Sequence, residues 1–112
     1  MRITFLQSGG FAGMIKGCVI DATDLAPGER HELESLVAGS GLTESFERFS
    51  DTGRDLRQYE IVIERDAAVQ RICCDDRSVP ESIGPLMAFL SARARPQSPD
   101  VAEELRRRAV GG

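Results

Sequence analysis

The sequence predicts an α+β fold of order ββαββα, a four-stranded antiparallel sheet with two helices packed on one face. Three observations carry that prediction. Two alternating stretches flank a glycine-rich turn, two more flank a short polar turn, and an amphipathic helical pattern follows each pair. A chain of 112 residues, 41% of them hydrophobic, suits one core.

The first strand is read over residues 2–7, where Arg2, Thr4 and Leu6 alternate with Ile3, Phe5 and Gln7. The second is read over residues 14–21, with Met14, Ile15, Val19 and Ile20, and the intervening Ser8-Gly9-Gly10-Phe11-Ala12-Gly13 marks the turn. Asp21, Thr23 and Asp24 then offer polar caps, Pro27 suits a first helical turn, and Leu33, Leu36 and Val37 share a face before Gly39 ends the helix. Residues 40–55 read as an irregular connection pinned to the core by Leu42, Phe46 and Phe49.

Tyr59, Ile61 and Ile63 alternate with Glu60, Val62 and Glu64, and residues 69–75 alternate again after a turn at 65–68, which makes a second hairpin. Ser78 and Glu81 have the spacing of a capping box, followed by Ile83, Leu86, Met87 and Leu90 at helical spacing. Gly84-Pro85 within that pattern either kinks the helix or delays its regular part by one turn. Residues 1–94 are therefore expected to form one domain. In residues 95–112, Asp100, Glu103 and Glu104 precede Arg106, Arg107 and Arg108, a charge order that suits a short C-terminal helix; a mobile tail is the alternative.

Acidic residues outnumber basic ones by 18 to 14, and a net charge of -4 gives no general attraction for nucleic acid or anionic membrane. No run of 18 apolar residues is present and the N-terminal apolar stretch is too short for a secretory leader, so a cytoplasmic location is expected. Three cysteines, Cys18, Cys73 and Cys74, lack CxxC spacing and read as reduced, partly buried thiols.

No catalytic or metal centre is expected, and neither is a cofactor or a small-molecule substrate. The single histidine, His31, lies between Arg30 and Glu32 on a predicted helix, and no GxSxG elbow supports a Ser8-His31 nucleophile. Cys73 and Cys74 are adjacent on a strand and point to opposite faces, which disfavours a shared zinc ion. Asp75-Asp76 reads as a solvated turn. Broad sheets and hairpin tips suit protein binding better than enclosure of a small molecule.

The glycine-rich tip lacks the Gly-Lys-Ser/Thr of a phosphate loop, and its Gly10-Phe11-Ala12-Gly13 spacing lacks the basic surround of a nucleic-acid GxxG loop. Two readings stay open. Phe11 folds back onto the sheet, or it projects from a glycine-flanked turn as the anchor of a protein interface.

The first strand with its Ser8-Gly9-Gly10-Phe11-Ala12-Gly13 turn, Asp55-Leu56-Arg57-Gln58-Tyr59 leading into the third strand, and the Val79-Pro80 helix start together resemble the emfourin family of protealysin inhibitors, over about residues 1–92. The resemblance implies a non-enzymatic protein that reversibly occludes the cleft of a thermolysin-like (M4) zinc metalloprotease, often encoded beside its target in bacteria. It implies a partner-binding surface of Ser8, Gly9, Gly10, Phe11, Ala12 and Gly13 with Asp55 and Arg57. Such proteases favour a bulky apolar side chain after the scissile bond, a role open to Phe11. The alternative is a binding module for a different protein.

Overall fold

Alternation along β1 (Arg2–Gly9) sends Ile3 and Phe5 to one side of the sheet and Thr4 and Leu6 to the other, and all four are buried. Both faces of the sheet are therefore covered at its centre. The computed structural model describes residues 1–9, 14–41, 44–48 and 56–111.

The four strands expected from alternation form the middle of the sheet. β1 lies between β2 (Lys16–Asp21) and β4 (Arg57–Arg65), and β5 (Ala68–Asp75) lies beyond β4, each antiparallel to its neighbour. Asp66 makes the β4–β5 turn with φ +47°.

Among the described residues the sheet has six strands, not four, and it is mixed. β3 (Phe46–Arg48) runs parallel to β5 at one edge, and β6 (Arg95–Pro96) pairs with Lys16 and Gly17 of β2 at the other. Strands of three and two residues are too short to show a period, which is why the sequence reads the first as connection and the second as part of the C-terminal tail. Phe46 packs against the core as a pin. Leu42 and Phe49, the other expected pins, lie outside the described residues.

The helices α1 (Pro27–Gly39) and α2 (Gly84–Arg93) cover one face of the sheet. Leu33 and Val37 of α1 meet Leu86, Met87 and Leu90 of α2 over Ile3, Phe5, Ile61, Ile63 and Ile72. Arg93 fastens the pair: its guanidinium lies 3.5 Å from the centre of the Phe89 ring and 3.3 Å from the Glu29 carboxylate.

The helix boundaries differ from the expected caps. Asp21 caps a short 3-10 turn, Ala22–Asp24, by accepting from the Thr23 amide at 3.0 Å; the bonds to Thr23 also hold its carboxyl below the usual range. Gly39 stays inside α1, and the chain turns at Gly41, with φ +67°. Ser78 does not cap the second helix. That helix opens with a 3-10 turn, Glu81–Ile83, after Pro80, and regular α2 begins at Gly84-Pro85, so the proline delays the helix and does not kink it.

The far face, expected to stay open, is partly covered by α3 (Pro99–Gly111), which packs on β1, β2 and β4. Two alanines, Ala102 and Ala109, are buried in α3, and small side chains let a helix lie close to a sheet. Thr4, Leu6, Glu60, Val62 and Cys73 are among the buried residues of that face.

Candidate functional site

Pairing between β1 and β4 joins the two parts of the expected partner-binding surface. Ser8 stands opposite Gln58 and Gly9 opposite Arg57, so stretches about fifty positions apart in sequence become cross-strand neighbours. Ser8 is half-buried, and Gly9 and Arg57 are exposed. Gly9 has φ +85°, and a Cβ there would sit 3.0 Å from the Leu56 carbonyl oxygen, so both conformation and space call for glycine. Gly10, Phe11, Ala12, Gly13 and Asp55 lie outside the described residues.

The same end of the sheet holds the C-terminal ends of β3 and β5, since Arg48 pairs with Cys74 and Asp75 with Gln58. Asp76 ties the start of β4 to it. The Arg57 amide donates to Asp76 Oδ2 at 3.0 Å, the Asp76 amide donates to the Arg57 carbonyl at 3.1 Å, and the Tyr59 hydroxyl donates to Asp76 Oδ1. Burial, then this bond to a carboxylate, pushes the Tyr59 phenol up to about 12. Its ring stacks on Phe5 at 6.3 Å, which connects the site end to the core.

Asp75 is not the solvated turn residue expected from sequence. It is buried, and its Oδ1 accepts from the amides of Arg77 and Ser78, each at 3.0 Å, and from the Ser78 hydroxyl at 2.9 Å. The Ser78 hydroxyl also meets the Arg48 carbonyl, which holds β3 to this corner. Ser78 is thus occupied by the strand end and not by the helix that follows.

Beside this end, the far face of the sheet carries an open groove of about 240 Å³ lined by Ser8, Gln58, Glu60, Arg71, Cys73 and Arg106, among others. Glu60 is 8% exposed and accepts at both oxygens. Arg71 donates to Oε2 from Nε at 2.8 Å and from Nη2 at 2.5 Å, and Arg106 of α3 donates to Oε1 from Nε at 2.7 Å. Cys73 points at the same carboxylate, 3.8 Å away, while Cys74 belongs to the core on the opposite face. Burial raises both thiols, Cys74 to about 11, with Glu60 adding to the rise at Cys73.

Sequence reading missed Asp76, Glu60, Arg71 and Arg106. Glu60 occupies the polar position of an alternating strand, which reads as solvent-facing until α3 is known to lie over it.

His31 is exposed on α1, and among the described residues no group of three or more His, Cys, Asp or Glu is placed to hold a metal ion. No helix among them is long and apolar enough to cross a membrane. The strand end thus presents exposed Gly9 and Arg57 side by side, next to Ser8 and Gln58.

A family model described as Emfourin matches residues 5–91. No curated protein and no solved structure matches the chain. The matched stretch spans more than half of the sequence and runs from β1 through α2, including both sides of the strand end described above; the chain belongs to the emfourin family.

Proposed function

We propose that this chain is a protein inhibitor of a thermolysin-like (M4) zinc metalloprotease. It acts by reversible occlusion of the active-site cleft through residues 8–13 of the first hairpin together with Asp55 and Arg57, the latter opening β4. Family membership supports an inhibitory role, and one observation carries the choice of surface: Gly9 and Arg57 are directly opposed, so both segments leave the sheet at one end. Binding needs no catalytic group on the inhibitor, and the target is expected in the same cytoplasm.

The strand end that bears these segments is fixed on both sides, by the β1–β4 ladder and by Asp76. A preorganised loop loses little entropy on binding, so more of its contact energy appears as affinity. Phe11 is the side chain proposed to enter the apolar pocket of the protease.

The test is titration of the purified protein into thermolysin-like enzymes with a peptide substrate, followed by a check that the added protein stays intact. Phe11→Ala is expected to weaken inhibition by about 2 kcal/mol or more, as loss of a central interface anchor does, with an unchanged circular dichroism spectrum. No inhibition of any M4 enzyme, a cognate one included, would sink the proposal and leave the chain a binding module for another protein.

A further inference from the structure

The family match ends at residue 91, so β6 and α3 fall outside it, yet both are fastened to the strands that carry the proposed inhibitory segments. On the β2 side, β6 pairs with Lys16 and Gly17. Gln97 then donates from its amide to the Ile15 carbonyl at 2.9 Å and from its side chain to the Gly17 carbonyl at 3.3 Å. Glycine at 17 is required by the neighbouring β1, since a Cβ there would lie 2.7 Å from Leu6 Cδ2 and 2.8 Å from the Phe5 carbonyl oxygen, while Gln97 Cγ would be at 3.7 Å, an ordinary contact.

On the other side, α3 lies across β1 and β4, and Arg106 grips Glu60, whose second oxygen is held by Arg71 of β5. Glu60 stands opposite Leu6, two positions from Ser8 and three from Arg57, a span of about 7–10 Å along a strand. The C-terminal segment thus touches β2 at its first residues and ties down β4, next to the last residues of β1. These are the strands between which the glycine-rich turn is strung.

We infer that residues 95–109 are a clamp that holds the base of the first hairpin, and that Gln97 and Arg106 are positioning residues for the inhibitory turn. This rests on the inhibitory reading above for its consequence and on contacts outside the family match for its cause. Neither residue needs to touch the protease. Their work is to keep the two arms of the hairpin at fixed separation and tilt, so that binding does not have to order them.

The experiment compares the full chain with its Gln97→Ala/Arg106→Ala double variant by amide hydrogen exchange and by titration into a thermolysin-like protease. Exchange is expected to quicken about tenfold at Gln7, Ser8, Lys16, Gly17 and Arg57–Tyr59 while Leu36 and Val37 of α1 stay as they are. Inhibition is expected to weaken about tenfold with little change in the thermal midpoint, and Arg106→Lys in place of Arg106→Ala should recover part of the loss.

Unchanged exchange at the hairpin base overturns the clamp. So does a rise shared equally by α1, which would mark general destabilisation. An inhibition constant equal to that of the parent chain overturns the positioning role. If the parent chain itself inhibits no such protease, the inhibitory reading falls, and the exchange comparison still decides whether the clamp exists.

Discussion

The two faces of the central sheet are held in opposite ways. Beneath α1 and α2 the contacts are almost wholly aliphatic and aromatic, with Ile3, Phe5, Ile61, Ile72, Leu86 and Leu90 removed from solvent. Beneath α3 a few aliphatics, Leu6 and Val62, share the surface with Thr4 and with a buried carboxylate held by two half-exposed guanidiniums. The first face draws its stability from apolar area, which is tolerant of detail. The second depends on geometry: a carboxylate taken out of water is costly unless its oxygens are occupied.

The largest expected effect lies on the apolar face. Leu86→Ala removes a fully buried side chain and should cost about 2–5 kcal/mol in urea unfolding, through lost transfer energy and the cavity left behind. A cost below about 1 kcal/mol would show that this face is loosely packed and that the contrast between faces is weaker than drawn.

Glu60→Gln probes the other face at a smaller scale. Arg71 and Arg106 keep about 43% and 46% of their side-chain surface exposed, so water screens both pairs and tempers the loss to about 1 kcal/mol. The effect should shrink with added salt, whereas that of Leu86→Ala should not. Equal salt response in both variants would erase the distinction.

An alkaline effect separates the thiols. Cys18 and Cys74 are each raised from 9.0 to about 11 by burial, so the folded protein keeps protons that the unfolded chain gives up. Their contribution is whole below pH 9 and is lost as pH rises through about 11; the Tyr59 phenol, raised from 10.0 to about 12, extends the loss upward. Urea midpoints across pH 8–12 should fall in that window, and more shallowly in Cys74→Ala. Alkylation of the native protein at pH 8, mapped by mass spectrometry, should reach Cys73 in the groove before Cys74 in the core.

The legibility of the fold follows the same division. Alternation in residues 2–7 and 59–64 and the helical spacing of Leu33, Leu86 and Leu90 were readable because Ile3, Phe5, Tyr59, Ile61, Ile63 and these leucines meet one apolar layer. Phe46 was readable as a pin but not as a strand, because three residues hold no period. Ser78 and Glu81 had capping-box spacing, yet Ser78 is bound to Asp75 and the Arg48 carbonyl, partners that only the parallel β3–β5 pairing brings near.

The family was legible as local words in the sequence, among them the Ser8–Gly13 run and Arg57. The adjacency of Gly9 and Arg57 was not, because it depends on β1 pairing with β4, a contact between hairpins that carries no local signal.

The sequence by itself determined the class of fold, the four central strands and the two helices of the core, because apolar periodicity is a local property that burial then rewards. The tertiary structure alone decided the order of the strands, the burial of Glu60 and the docking of α3. Each of these depends on which distant surfaces meet, and a polar residue at an outward position has the same appearance in a sequence whether water or Arg106 is its neighbour.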